Sequence, residues 1–280
     1  MRLDVMLIVL CAALLHATWN ALIKSGNDKL LDSILLCVTA GILALAALPF
    51  LPLPAAASWP LLIASTVIHV VYFCLVAFAY RVADLSFVYP LMRGSAPLFT
   101  ALFAAVMLGE PLAVGGWLGV FLLCVGVLVL ALDSRRAANI PCSAWTFGLG
   151  NAAVIVGYTV VDGIGVRASG NAWSYVCWLF TLTALPMLAM GWAMRRKAIV
   201  LLPLGAWGKG FIGGACSIGS YGLALWAMTQ APIALIAALR ETSVLFGTAI
   251  AALLLHEKFG RMRWLAAGFV VAGAVAMKLL

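Results

Sequence analysis

Residues 91–129 read LMRGSAPLFTALFAAVMLGEPLAVGGWLGVFLLCVGVLV, and residues 238–276 read ALRETSVLFGTAIAALLLHEKFGRMRWLAAGFVVAGAVA. The two stretches align without a gap at an offset of 147, with ten identical positions. These include Arg93/Arg240, Leu98/Leu245, Phe99/Phe246, Glu110/Glu257, Trp117/Trp264 and Gly126/Gly273. Matched leucines and alanines follow from apolar composition alone. Matched Arg, Glu and Trp do not, in a chain with 17 Lys and Arg and 9 Asp and Glu among 280 residues. The chain is a duplication.

Working outward from this block, the sequence divides into ten continuously apolar spans. They cover about 4–24, 33–53, 60–80, 87–108, 114–132, 145–165, 172–193, 209–229, 232–254 and 262–280. The repeated block holds the fourth and fifth spans of one copy and the ninth and tenth of the other. Each half, 1–134 and 145–280, therefore has five spans. Five is odd, so the second copy crosses its surroundings in the opposite sense. The expected fold is all-α, ten transmembrane helices in two inverted five-helix repeats.

Composition says what those surroundings are. Only 9% of residues are charged and 66% are apolar, whereas a soluble domain carries about 25% charge. No Lys, Arg, Asp or Glu falls between Asp32 and Arg81, Arg136 and Asp162, Arg167 and Arg195, or Lys209 and Arg240. Each run exceeds the roughly 20 residues that cross a bilayer, and the proline-rich 49–60 segment divides the first into two crossings. The runs do not alternate as barrel strands do. Gly115/Gly119 and Gly210/Gly214 fit small-xxx-small helix contacts. The first span runs from Arg2 to Lys24 without an A-x-A-like exit, so it reads as a membrane helix rather than a cleaved leader.

The net charge of +8 is scattered, which argues against a nucleic-acid partner. Seven cysteines without a CxxC pair indicate neither a metal site nor a disulfide framework. No cofactor motif is present, and the absence of GxxxxGK[ST] excludes a P-loop nucleotide engine in this chain.

Leu108-Gly109-Glu110 and Leu255-His256-Glu257 look like paired acidic turns. Ala17-Thr18-Trp19-Asn20 looks like a first-helix motif in which Asn20 stands where glycine is common. Tyr158-Thr159-Val160-Val161-Asp162-Gly163 looks like a sixth-helix motif. With its five-plus-five layout, the chain resembles the ten-helix EamA-type branch of the drug/metabolite transporter superfamily. The sixth-helix segment resembles a subgroup associated with phosphonate utilisation. The resemblance implies a secondary transporter, with a cavity lined by the first, third, fourth, sixth, eighth and ninth helices.

Charge inside a bilayer is expensive and marks function by default. Four such residues stand out: Arg93, Arg240, Glu241 and Asp162. The two arginines are repeat mates, each roughly 10 Å from its own helix end, which sets one on each side of the midplane. A guanidinium fork matches carboxylate or phosphonate, so both are expected to bind substrate. The competing structural expectation pairs Arg240 with Asp162 or Glu241 and leaves Arg93 to backbone carbonyls or the interface. Asp162 and Glu241 are the proton-coupling candidates, because burial and a nearby guanidinium pull on their protonation in opposite senses.

Polar and aromatic residues at i, i+3, i+4 spacing supply the rest of the expected cavity: Trp19 and Asn20 with His16, His69 and Tyr72 with Ser65 and Tyr80, Tyr89 with Arg93, Tyr158 with Asp162, and Tyr221 with Ser220.

Ten spans put both termini on one side. Arg2, Arg167 and Lys278 lie there, against twelve Lys and Arg on the other side. The positive-inside rule places the termini outside the cytoplasm of a bacterial inner membrane.

The expected function is alternating-access transport of a small polar, anionic or zwitterionic metabolite, by proton coupling or exchange. The partners are that substrate and the lipid bilayer, with a homodimer left open. A lipid-linked headgroup flippase is the near alternative. An intramembrane enzyme would need an acid/base or metal cluster that the sequence does not show, and a membrane scaffold would need no cavity at all.

Overall fold

The computed structural model describes residues 1–26, 28–82, 85–135, 142–255 and 260–279, and these are helical throughout, joined by short loops. The helices are α1 (Leu3–Lys24), α2 (Lys29–Ala47), α3 (Trp59–Val82), α4 (Leu85–Met107), α5 (Val114–Arg135), α6 (Cys142–Ser169), α7 (Ala172–Val200), α8 (Leu204–Met228), α9 (Ile233–Leu239), α10 (Ser243–Leu255) and α11 (Arg261–Leu279). Among the described residues, eight spans are long and apolar enough to cross a membrane, and two shorter apolar helices in α3 and α5 complete ten.

Local chemistry sets the helix ends. Asp28 caps α2 by accepting from the Leu31 amide at 3.1 Å, and Asn171 caps α7 by accepting from Ser174 at 2.9 Å. Gly109 (φ 64°) and Gly170 (φ 76°) close α4 and α6 in the left-handed region, which only glycine enters cheaply.

Two boundaries depart from the hydropathy pattern. α7 continues past 193 through Arg195–Lys197 to Val200, with a kink at Arg195, because charge ends an apolar span without ending a helix. Arg196 there lies over the Trp192 ring at 4.9 Å. α8 starts at Leu204, five residues before the expected 209.

The ninth span is not continuous. α9 gives way at Arg240–Thr242 to one 3-10 turn before α10 resumes. Four polar residues in a row, Arg240 to Ser243, offer the backbone other partners. Thr242 Oγ1 donates to the Leu239 carbonyl at 2.7 Å.

Packing carries the duplication into three dimensions. α2 packs on α7, and α5 on α11, each on its own mate. α1 packs on α8 as α6 packs on α3, and α4 packs on α6 as α10 packs on α1. A contact pattern that returns to itself when the halves are exchanged is that of a pseudo-two-fold axis. The glycines sharpen the point. A Cβ on Gly126 would lie 2.9 Å from the Ala266 carbonyl oxygen, and one on Gly273 would lie 2.8 Å from that of Gly119. Positions 126 and 273 are mates, and so are 119 and 266. The same backbone-to-backbone approach is thus made twice. At the other small-residue pair, Gly214 lies against the Ala40 backbone of α2.

Outward-facing Leu45, Phe99, Val106, Leu185 and Trp264 are exposed, as a bilayer-facing surface requires. At the terminal end Lys278 Nζ donates to the Met1 carbonyl at 3.1 Å, and the Ala55 amide donates to Ser169 O at 3.0 Å.

Candidate functional site

All four candidate charges are buried at the centre of the bundle. Arg93 projects from α4 between Pro90 and Pro97. Its guanidinium forks onto Glu241, with Nη2 at 2.8 Å from Oε1 and Nε at 3.1 Å from Oε2. One hydrogen bond, from Nε, and one close ion-pair contact, from Nη2, thus join the two halves. Arg240, beside Glu241 on the 3-10 turn, takes a different course. It is 7% exposed, its guanidinium carbon stands 5.2 Å from the Tyr221 ring centroid, and its Nε has no hydrogen-bond partner among the described residues. The expected pairing is therefore exchanged: Glu241 serves Arg93, and Arg240 rests on an aromatic face.

Asp162 is fully buried and is served separately. Tyr175 donates to Oδ1 at 3.0 Å, and Tyr221 donates to Oδ2. Ser65 and His69 of α3 lie against the same carboxyl. Tyr221 thus meets both unlike charges, with its ring under Arg240 and its hydroxyl on Asp162. His69 Nδ1 is 2.9 Å from the Ser65 carbonyl oxygen, and its ring sits 4.6 Å from Tyr158. Tyr72 stands edge-on to Tyr158 at 5.7 Å. His69, Tyr72, Tyr158 and Tyr221 form one aromatic wall.

Arg93, Pro97, Thr100, Tyr158, Thr159, Arg240 and Glu241 enclose a space of about 10 Å³, room for one water molecule. In this conformation the space does not admit a metabolite-sized ligand. The two arginines line this single space rather than guarding separate halves.

Two expected residues stand elsewhere. Trp19 is edge-on to His16 and packs with Ile34, Leu36 and Met187, toward α2 and α7. Asn20 donates back to the His16 carbonyl at 2.8 Å, within its own helix. Tyr89 belongs to α4, and its side chain lies outside the described residues, as do Tyr80, His256 and Glu257.

The sequence did not single out Tyr175 on the seventh helix. It also missed a cluster at the terminal end. There Arg167 pairs with Glu110 and donates to the carbonyls of Met228 at 2.8 Å and Ala231 at 3.1 Å. Glu110 Oε2 in turn accepts from the Ile233 amide at 3.0 Å, at the start of α9. A turn of the first half is latched to three segments of the second. The signal was available, because the spans already put Glu110 and Arg167 on one side. At the opposite end a cleft of about 410 Å³ opens between α1, α2 and α8, with Asp32 and Lys209 at its edge.

The model of the EamA-like transporter family matches residues 4–132 and again 143–279, once per half. No curated relative matches the chain. A solved crystal structure superposes with a TM-score of 0.78 at 17% identity, covering 100% of this chain and 98% of its own. At that identity the likeness shows the fold alone.

Proposed function

The chain belongs to the EamA-like transporter family, and from that premise we propose an alternating-access carrier for a small anionic or zwitterionic metabolite, anchored at Arg240. One observation carries the proposal. A buried guanidinium faces the central space with no acidic partner among the described residues. An uncompensated charge in such a place is destabilising by several kcal/mol, and a ligand's oxyanion is the natural compensation. His69, Tyr72, Tyr158 and Tyr221 supply the remaining polar and aromatic wall.

The inverted halves support movement by rocking about the central site, exposing it to each face in turn. The occluded space is the intermediate between those states. Asp162 is the proton-coupling group, whereas Glu241, the other expected one, is held by the Arg93 fork. Tyr221 joins Asp162 to Arg240, so ligand arriving at the arginine alters the hydrogen bonding of the carboxyl. The membrane is the bacterial cytoplasmic one, with both termini outside.

The test is uptake of labelled carboxylates into proteoliposomes, with and without a pH gradient. The expected result is saturable uptake that Arg240→Gln abolishes and that the gradient accelerates. Normal uptake by Arg240→Gln and Asp162→Asn would overturn the assignment.

A further inference from the structure

We propose that Glu241 sets the charge of the cargo: by occupying one of two symmetry-related arginines, it leaves a central site matched to a monoanion. This rests on Arg240 being the anion anchor.

The two halves place an arginine at the same position, Arg93 and Arg240. A symmetric cavity would present two guanidinium forks, a site for a dianion. The halves differ at the next residue, where Gly94 in the first corresponds to Glu241 in the second. Gly94 has no room for an acid. A Cβ there would lie 3.0–3.2 Å from Leu128, including its backbone nitrogen. Glu241 sits on the 3-10 turn, and both its oxygens reach across to the Arg93 fork. Arg93 is thereby neutralised, while Arg240 keeps only a tyrosine face. Asp162 does not line this space and makes no ion pair with Arg240 among the described residues; its oxygens accept from Tyr175 and Tyr221.

What remains at the central space is one guanidinium without a directly paired carboxylate. A ligand with one negative charge matches it. A dianion brings a second charge that no free fork receives, and burying an unmatched charge is costly. Gly94 and Glu241 are thus a specificity-determining pair of positions, one leaving space and the other filling a fork.

The experiment measures calorimetric binding to the purified full-length protein, with two probe pairs of matched skeleton: butanoate against butanedioate, and benzoate against benzene-1,4-dicarboxylate. The wild type is expected to favour the monoanions by about tenfold or more. Glu241→Gln frees the Arg93 fork and is expected to reverse the preference. Should that variant fail to fold with Arg93 unpaired, Arg93→Gln/Glu241→Gln removes both charges and is expected to retain the monoanion preference. Monoanion binding with an unchanged preference in Glu241→Gln, or a lost preference in the double variant, overturns the charge assignment while leaving Arg240 as anchor. Binding of neither class to the wild type overturns the anchor and the charge assignment together.

Discussion

Tyr221 gives the sharpest test of the site, because one side chain serves two charges through different atoms. Its ring lies 5.2 Å from the Arg240 guanidinium carbon, and its hydroxyl donates to Asp162. Tyr221→Phe keeps the ring and deletes the hydroxyl, whereas Tyr221→Leu deletes both. A desolvated cation–π contact is worth up to about 2 kcal/mol. Holding a long side chain in one rotamer costs about 0.5–1.5 kcal/mol. Without the ring, Arg240 must meet that ordering cost from the ligand's binding energy. Tyr221→Leu is therefore expected to weaken carboxylate binding by roughly tenfold. Tyr221→Phe is expected to stay within about threefold of the wild type, less than 1 kcal/mol. The hydroxyl is a different matter. A hydrogen bond to a charged group contributes about 1.5–3 kcal/mol, and its loss falls on Asp162. Uptake driven by a pH gradient should then drop in Tyr221→Phe while equilibrium binding holds. The assay pairs calorimetry with proteoliposome uptake on the same preparations. If Phe impairs binding as much as Leu does, Tyr221 does not act on Arg240 through its ring, and the division of labour is wrong.

Four further outcomes are expected. Gly126→Leu and Gly273→Leu should each lower stability by about 1–3 kcal/mol, and by similar amounts because they are mates, read as thermal unfolding in detergent. Gly150→Ala, which meets nothing within 4 Å, should be neutral or gain up to about 1 kcal/mol. Arg167→Gln should increase thiol labelling, from the terminal side, of a cysteine introduced at Thr100, and Glu110→Gln should do the same, since both break one latch; unchanged labelling in both would remove it as a closure on that side. A green fluorescent protein fused at the carboxy terminus should stay dark, and a bright fusion would reverse the orientation drawn from the charge count.

The duplication was legible because its markers are scarce residues. Arg, Glu and Trp matched at a fixed offset leave little room for chance in so apolar a chain. The odd number of spans then fixed the inversion, which the exchanged helix contacts and the paired glycine approaches reproduce. The site residues were legible as a set, but not as pairs. Arg240 and Glu241 are adjacent in sequence, which invites pairing them, yet adjacent residues on a 3-10 turn point about 120° apart. Glu241 consequently faces α4 while Arg240 faces α8. The same geometry misplaces Trp19. Residues at i, i+3 and i+4 share a stripe of at least 100°, wide enough to meet two neighbours, so Trp19 touches His16 and still packs toward α2 and α7. The break at Arg240–Thr242 escaped because a window of about 19 residues averages one polar turn into its apolar flanks.

That break changes what the two halves can do. In the first half the arginine sits on a continuous helix between two prolines, close-packed at Gly94. In the second it sits on a 3-10 turn between two helical pieces. The seven residues of α9 join that turn to the Ile233 amide, which Glu110 holds at the terminal face. A displacement at the Glu110–Arg167 latch therefore reaches Arg240 through one short rigid helix, whereas Arg93 moves only with all of α4. Of the two mates, the one without an acidic partner is also the one on the more compliant support. Under the proposed mechanism, a binding group that accepts a ligand from one face and releases it to the other would use both properties, and both fall in the second copy.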